Sequence, residues 1–80
     1  MLIYDRFPTL AKAKQFAVNC KQRLLRRAVV CRSQEESNKI DPFPFQLDAP
    51  IVLVSRLDDL SGERAVDALA AHFGGTFAGT

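Results

Sequence analysis

The apolar residues of this 80-residue chain fall into two successive strand–helix–strand patterns, and that order constrains the fold more than any other feature. Leu2-Ile3-Tyr4 is a short apolar start, closed by Pro8. Thr9 then offers an N-cap oxygen, and Leu10, Ala13, Phe16, Ala17, Cys20 and Leu24 recur on one arc about 120° wide, which predicts a helix to about Leu24. Ala28-Val29-Val30-Cys31 is short, partly β-branched and apolar, as a strand requires. The second half repeats the order. Pro50 introduces the apolar strand Ile51–Val54. Ser61 can cap a helix in which Val66, Leu69, Ala70 and Phe73 follow helical spacing, and Gly74 suits its left-handed end. Thr76-Phe77-Ala78 closes the chain as a last strand.

This pattern predicts a small α+β sandwich of the ferredoxin-like βαββαβ type, with two helices packed on one face of a four-stranded antiparallel sheet. Residues 1–80 form one domain, and residues 33–49 are read as a polar and then proline-rich connection. Within it, Pro42-Phe43-Pro44-Phe45-Gln46-Leu47 alternates apolar residues. Its prolines cannot donate ladder hydrogen bonds, so 42–47 is either an extra edge strand or an extended loop.

Charge is divided along the same chain. Residues 1–34 carry eight basic side chains against one acid, and residues 35–80 carry three basic against eight acidic, so a net charge of +2 conceals a dipolar molecule. No acid interrupts the stretch from Lys12 to Gln34. Lys12, Lys14, Lys21, Arg23, Arg26 and Arg27 form the candidate basic interface, and Glu35, Glu36, Asp58, Asp59, Glu63 and Asp67 the candidate acidic one. Segregated charge of this kind steers encounter with a charged partner even when the net charge is small. Each set also has a local explanation: cations complement the C-terminal end of a helix, and carboxylates its N-terminal end.

Motifs for chemistry are missing from the sequence. His72 is the sole histidine, no serine stands in a nucleophile elbow, and the glycines near the C-terminus follow a helix instead of opening one, so they cradle no phosphate. Two cysteines, Cys20 and Cys31, are too few for a secreted disulfide framework or a tetrahedral zinc site. They read as buried thiols, or as one disulfide if their helix and strand pack together. The reading is therefore a protein that is not an enzyme, with no catalytic, cofactor-binding or metal-binding residues. Apolar runs of four or five residues fall far short of the ~20 needed to span a bilayer, and the N-terminus has no signal-peptide core, so a cytoplasmic location and no membrane contact are expected. An RNA-recognition motif would present aromatics from its central strands, and none stands there.

Asp41-Pro42-Phe43-Pro44-Phe45, the strand Pro50–Arg56 and the ending Phe73–Thr80 resemble small phage or prophage proteins. In size, layout and charge pattern the chain is similar to anti-CRISPR proteins directed at type I CRISPR systems. That resemblance implies a non-catalytic inhibitor that binds a subunit of the RNA-guided surveillance complex in the bacterial cytoplasm and hinders target DNA binding. It transfers no individual residue, because those proteins share no motif. Two alternatives stand beside it: a direct nucleic-acid-binding module using the basic half, and a phage structural or assembly protein. A monomer or weak dimer is expected.

Overall fold

Four short strands and three helices appear among residues 1–56 and 60–80, the part of the chain that the computed structural model describes. In order they are β1 (Leu2–Asp5), α1 (Leu10–Leu24), β2 (Ala28–Cys31), α2 (Gln34–Ile40), β3 (Ile51–Val54), α3 (Leu60–His72) and β4 (Thr76–Gly79). The strands make one open sheet in the order β2-β3-β1-β4, with every neighbouring pair antiparallel. Ile3 and Val29 both stand opposite Leu53, Tyr4 and Val30 opposite Val52, and Leu2 and Ala28 opposite Val54. A register shift between Ile3 and Tyr4 marks the pairing of β1 with β4.

Alternation along the strands sends two sets of side chains to opposite faces. Leu2, Tyr4, Ala28, Val52 and Val54 meet Ala13, Phe16, Ala17 and Cys20 of α1 and Val66 and Ala70 of α3, with Phe7 closing the cluster. Ile3, Cys31, Ile51 and Leu53 meet Leu47 on the other face, where Met1, Phe43 and Ala78 pack against them. Cys20 and Cys31 therefore lie on opposite faces as free thiols, and the disulfide alternative falls.

The caps explain where α1 runs. Thr9 accepts the Lys12 backbone N–H at 3.1 Å, as its position predicted. At the other end Leu25 adopts a left-handed conformation (φ 53°), and the Arg26 N–H donates back to the Cys20 carbonyl at 3.1 Å. Gly74 (φ 85°) ends α3 in the same conformation, as expected, and the Gly75 N–H donates to the Ala70 carbonyl at 2.9 Å. Helix α3 begins at Leu60, which puts Ser61, expected at its N-cap position, inside the first turn.

One expectation is corrected, and one pair of alternatives is decided. The segment 33–49 is not a plain connection: it contains a third helix, α2, so the sheet is covered on both faces and not on one. Ser33 caps α2 by accepting the Glu36 N–H at 3.2 Å, while the Glu36 carboxylate accepts the Arg32 N–H at 2.8 Å, a variant of the capping box. Of the two readings of 42–47, the extended loop holds and the extra edge strand does not. Its amides find partners on α2: Asn38 Oδ1 accepts the Phe43 N–H at 3.1 Å, and Gln34 Oε1 accepts the Leu47 N–H at 2.9 Å. The Gln34 amide also donates to the Phe45 carbonyl at 2.7 Å. Helix side chains thus replace the ladder that prolines would have broken, and Phe43 and Leu47 are delivered to the second core.

Candidate nucleic-acid interface

Helix α1 distributes its cations by simple geometry. At 3.6 residues per turn, Lys14 and Lys21 stand on one shoulder of the buried stripe, and Lys12 and Arg23 on the other. The first shoulder faces β2: Lys21, Leu25, Arg26 and Arg27 line a common surface concavity of about 320 Å³. The second faces α3, where Arg23 and Leu24 share a trough with Ala65, Ala68, Leu69 and His72. Between the shoulders the outermost positions are the uncharged Gln15, Val18 and Gln22. The basic set is therefore two rows, not one patch.

The β2 side carries the denser row. Lys14, Lys21 and Arg27 are exposed, and none forms an ion pair with a described carboxylate. Arg32, beyond the far end of β2, is also exposed but adjoins Glu36, which binds its backbone amide. Strand β2 is an edge of the sheet, so this row borders an open strand.

Arg26 does not join them. It is 2% exposed, with one guanidinium nitrogen donating to the Ser55 carbonyl at 3.2 Å and its Nη2 without a hydrogen-bond partner. Its placement follows from the left-handed turn at Leu25, which leaves Leu25 86% exposed while the chain enters β2. The inward charge acts on the core. Burial raises the Cys20 thiol to about 11, against which Arg26 pulls downward. Burial also raises Tyr4, reinforced by its hydroxyl's hydrogen bond to the Asp67 carboxylate and by that carboxylate's charge, with Arg26 opposing. Cys31 is raised by burial and then by Glu36.

The acidic set is not gathered on one surface. Glu35 and Glu36 open α2, on the sheet face opposite α3, while Glu63 and Asp67 belong to α3. Asp58 and Asp59 lie outside the described residues. Most described carboxylates are already engaged. Asp5 accepts the Asp48 N–H at 3.0 Å, Asp48 lies 3.1 Å from Arg6 Nε, and Asp41 holds the Met1 ammonium at 2.9 Å. Glu63 pairs with Arg56 at 3.2 Å, and Asp67 with the Tyr4 hydroxyl. Of the described acids only Glu35 has no such partner.

A feature the sequence did not announce sits beside β4. Asp5, Arg6, Phe43, Phe45, Leu47 and Phe77 border a concavity of about 290 Å³, with Phe45 70% and Phe77 47% exposed. Of the aromatic pair in the proline-rich stretch, Phe43 plugs a core as pairs of this kind do, while Phe45 does not. Among the described residues no three His, Cys, Asp or Glu side chains come together as a metal site, and no helix is long and apolar enough to cross a membrane. No protein-family model, curated protein or solved structure matches the chain.

Proposed function

We propose that this chain is a non-catalytic binding protein whose α1–β2 flank lies along the phosphate backbone of a nucleic acid. One observation carries the reading: every described carboxylate except Glu35 has an internal partner, whereas the cations of the α1–β2 flank are left exposed without ion pairs among the described residues. A surface built in that way releases counterions from a polyanion and gains affinity from it. The architecture is read as ferredoxin-like, with α2 inserted between β2 and β3, in the link that joins the two strand–helix–strand units. The order β2-β3-β1-β4 and the packing of α1 and α3 on one face support that reading.

Inhibition of a type I CRISPR surveillance complex in a phage-infected cytoplasm is the narrower form of the proposal, with the flank resting on guide RNA. DNA mimicry by the acidic half is the weaker route to the same end, because the sheet divides Glu35 and Glu36 from Glu63 and Asp67. Titration of ¹⁵N-labelled protein with a random-sequence duplex and a single strand tests the general reading. Shifts centred on Lys14, Lys21 and Arg27 are expected; no shifts, or shifts centred on α3, would refute it. Co-elution with a purified type I complex tests the narrower form, and its absence removes the CRISPR element alone.

A further inference from the structure

We infer that the trough between α1 and α3 is a docking groove for an acidic amphipathic helix of a partner protein. The trough has a volume of about 420 Å³, a floor of Leu24, Ala65, Ala68 and Leu69, and a rim formed by Arg23 on one helix and His72 on the other. Lys12 stands on the same shoulder of α1 as Arg23, about three turns earlier. The acids of α3 point their charge elsewhere: Glu63 is paired with Arg56, and Asp67 holds the Tyr4 hydroxyl. An apolar floor with the Arg23 guanidinium and no described carboxylate at its rim calls for a ligand with an apolar stripe flanked by carboxylates.

Shape narrows the occupant further. Ala65 and Ala68 are small, and small residues let a third helix approach to the usual interaxial distance of about 8–10 Å. From Ala65 to His72 the floor runs about 10 Å, two helical turns, which matches anchors at i, i+3, i+4 and i+7 of a docked helix. Nucleic acid would leave this floor wet and unused, since phosphates seek cations and not alanine. A flat anionic membrane could not reach into a concave floor lying between two helices. The groove and the β2 flank also use different cations, so a helix and a nucleic acid can be held at the same time.

The probe is a helical peptide of about four turns with leucines at i, i+3, i+4 and i+7 and glutamates elsewhere. A peptide of equal composition with scrambled leucines serves as control. Binding is read by fluorescence anisotropy and by ¹⁵N shifts. Shifts at Arg23, Leu24, Ala65, Ala68, Leu69 and His72 are expected. Ala68→Arg blocks the floor while adding positive charge, and it should weaken binding about tenfold or more. Arg23→Gln should weaken it about three- to fivefold at low salt and less at high salt. Lys21→Gln/Arg27→Gln should leave it unchanged. Equal binding of the scrambled peptide, unweakened binding to Ala68→Arg, shifts confined to Lys14, Lys21 and Arg27, or no binding would each overturn the inference. So would co-sedimentation with phosphatidylglycerol vesicles that Ala68→Arg abolishes while the peptide fails to bind. Because the nucleic-acid reading is tested on the other shoulder of α1, either can fail alone.

Discussion

Removing two cations from the β2 flank gives the clearest quantitative test of the proposed function. On this flank Lys14, Lys21 and Arg27 are exposed without an ion pair to a described acid, whereas Arg32 adjoins Glu36. Three phosphate contacts on duplex DNA give a slope of roughly −0.9 × 3, or about −2.7, in log K against log salt. Raising salt fourfold, from about 50 to about 200 mM, should then weaken binding by about 40-fold. In Lys21→Gln/Arg27→Gln one contact remains, the slope falls to about −0.9, and the same change of salt should cost only about three- to fourfold. Fluorescence anisotropy with a labelled duplex across a salt series measures both slopes. Neither substitution touches a core cluster, so the thermal midpoint should stay close to that of the parent protein and report that the fold is intact. Equal slopes for the two proteins would refute the assignment of the flank. A parent slope near zero would refute nucleic-acid binding altogether.

Other perturbations probe the core. Tyr4→Phe removes a buried hydroxyl that donates to Asp67, and urea melts should show a loss of about 1–2 kcal/mol; an unchanged midpoint would mean water replaces that bond freely. Gly75→Ala would drive a methyl group into the Phe7 ring, which is buried and stacked on Phe16 at 5.3 Å, so a loss of about 1–3 kcal/mol is expected by thermal melting. The Cys20 thiol, raised from 9.0 to about 11, contributes stability that is complete below pH 9 and lost as pH rises through about 11. The loss amounts to roughly 2–3 kcal/mol, and urea melts of Cys20→Ala should show a flatter dependence over that interval. Parallel dependences would contradict it. Arg26→Met replaces a buried charge that has one hydrogen bond and an unpartnered nitrogen. Its stability should hold within about 1 kcal/mol or rise, and a loss above about 3 kcal/mol would show that the charge is fully compensated in the fold.

The strands and long helices were legible because their signals are local. Thr9, the arc from Leu10 to Leu24 and Gly74 place α1 and the end of α3 without reference to any distant contact. Helix α2 was missed because its sequence, Gln34 to Ile40, has no apolar stripe; Ser37, buried without a hydroxyl partner, faces inward instead. A signal was present even so: Ser33 followed three residues later by Glu36 is a capping pattern. The second core was also foreshadowed. Four consecutive apolar residues in β3 demand cover on both faces of the sheet, and only the segment 33–49 was left to supply it. Arg26 could not be distinguished from Arg27 by composition, because their opposite fates depend on a left-handed turn at Leu25, a residue type that rarely adopts it. The division of the acids likewise depends on which face each helix covers, which linear order does not state.

Strand β2 ends the sheet on one side with an unsatisfied row of backbone groups, the feature by which one chain recruits another into aggregates. Lysine and arginine beside such a row act as gatekeepers, since their burial against a second strand would strand positive charge away from water. The side chains that the proposed function assigns to phosphates would thus also oppose self-association of the free protein, and a variant that neutralises them is expected to lose colloidal solubility along with any binding.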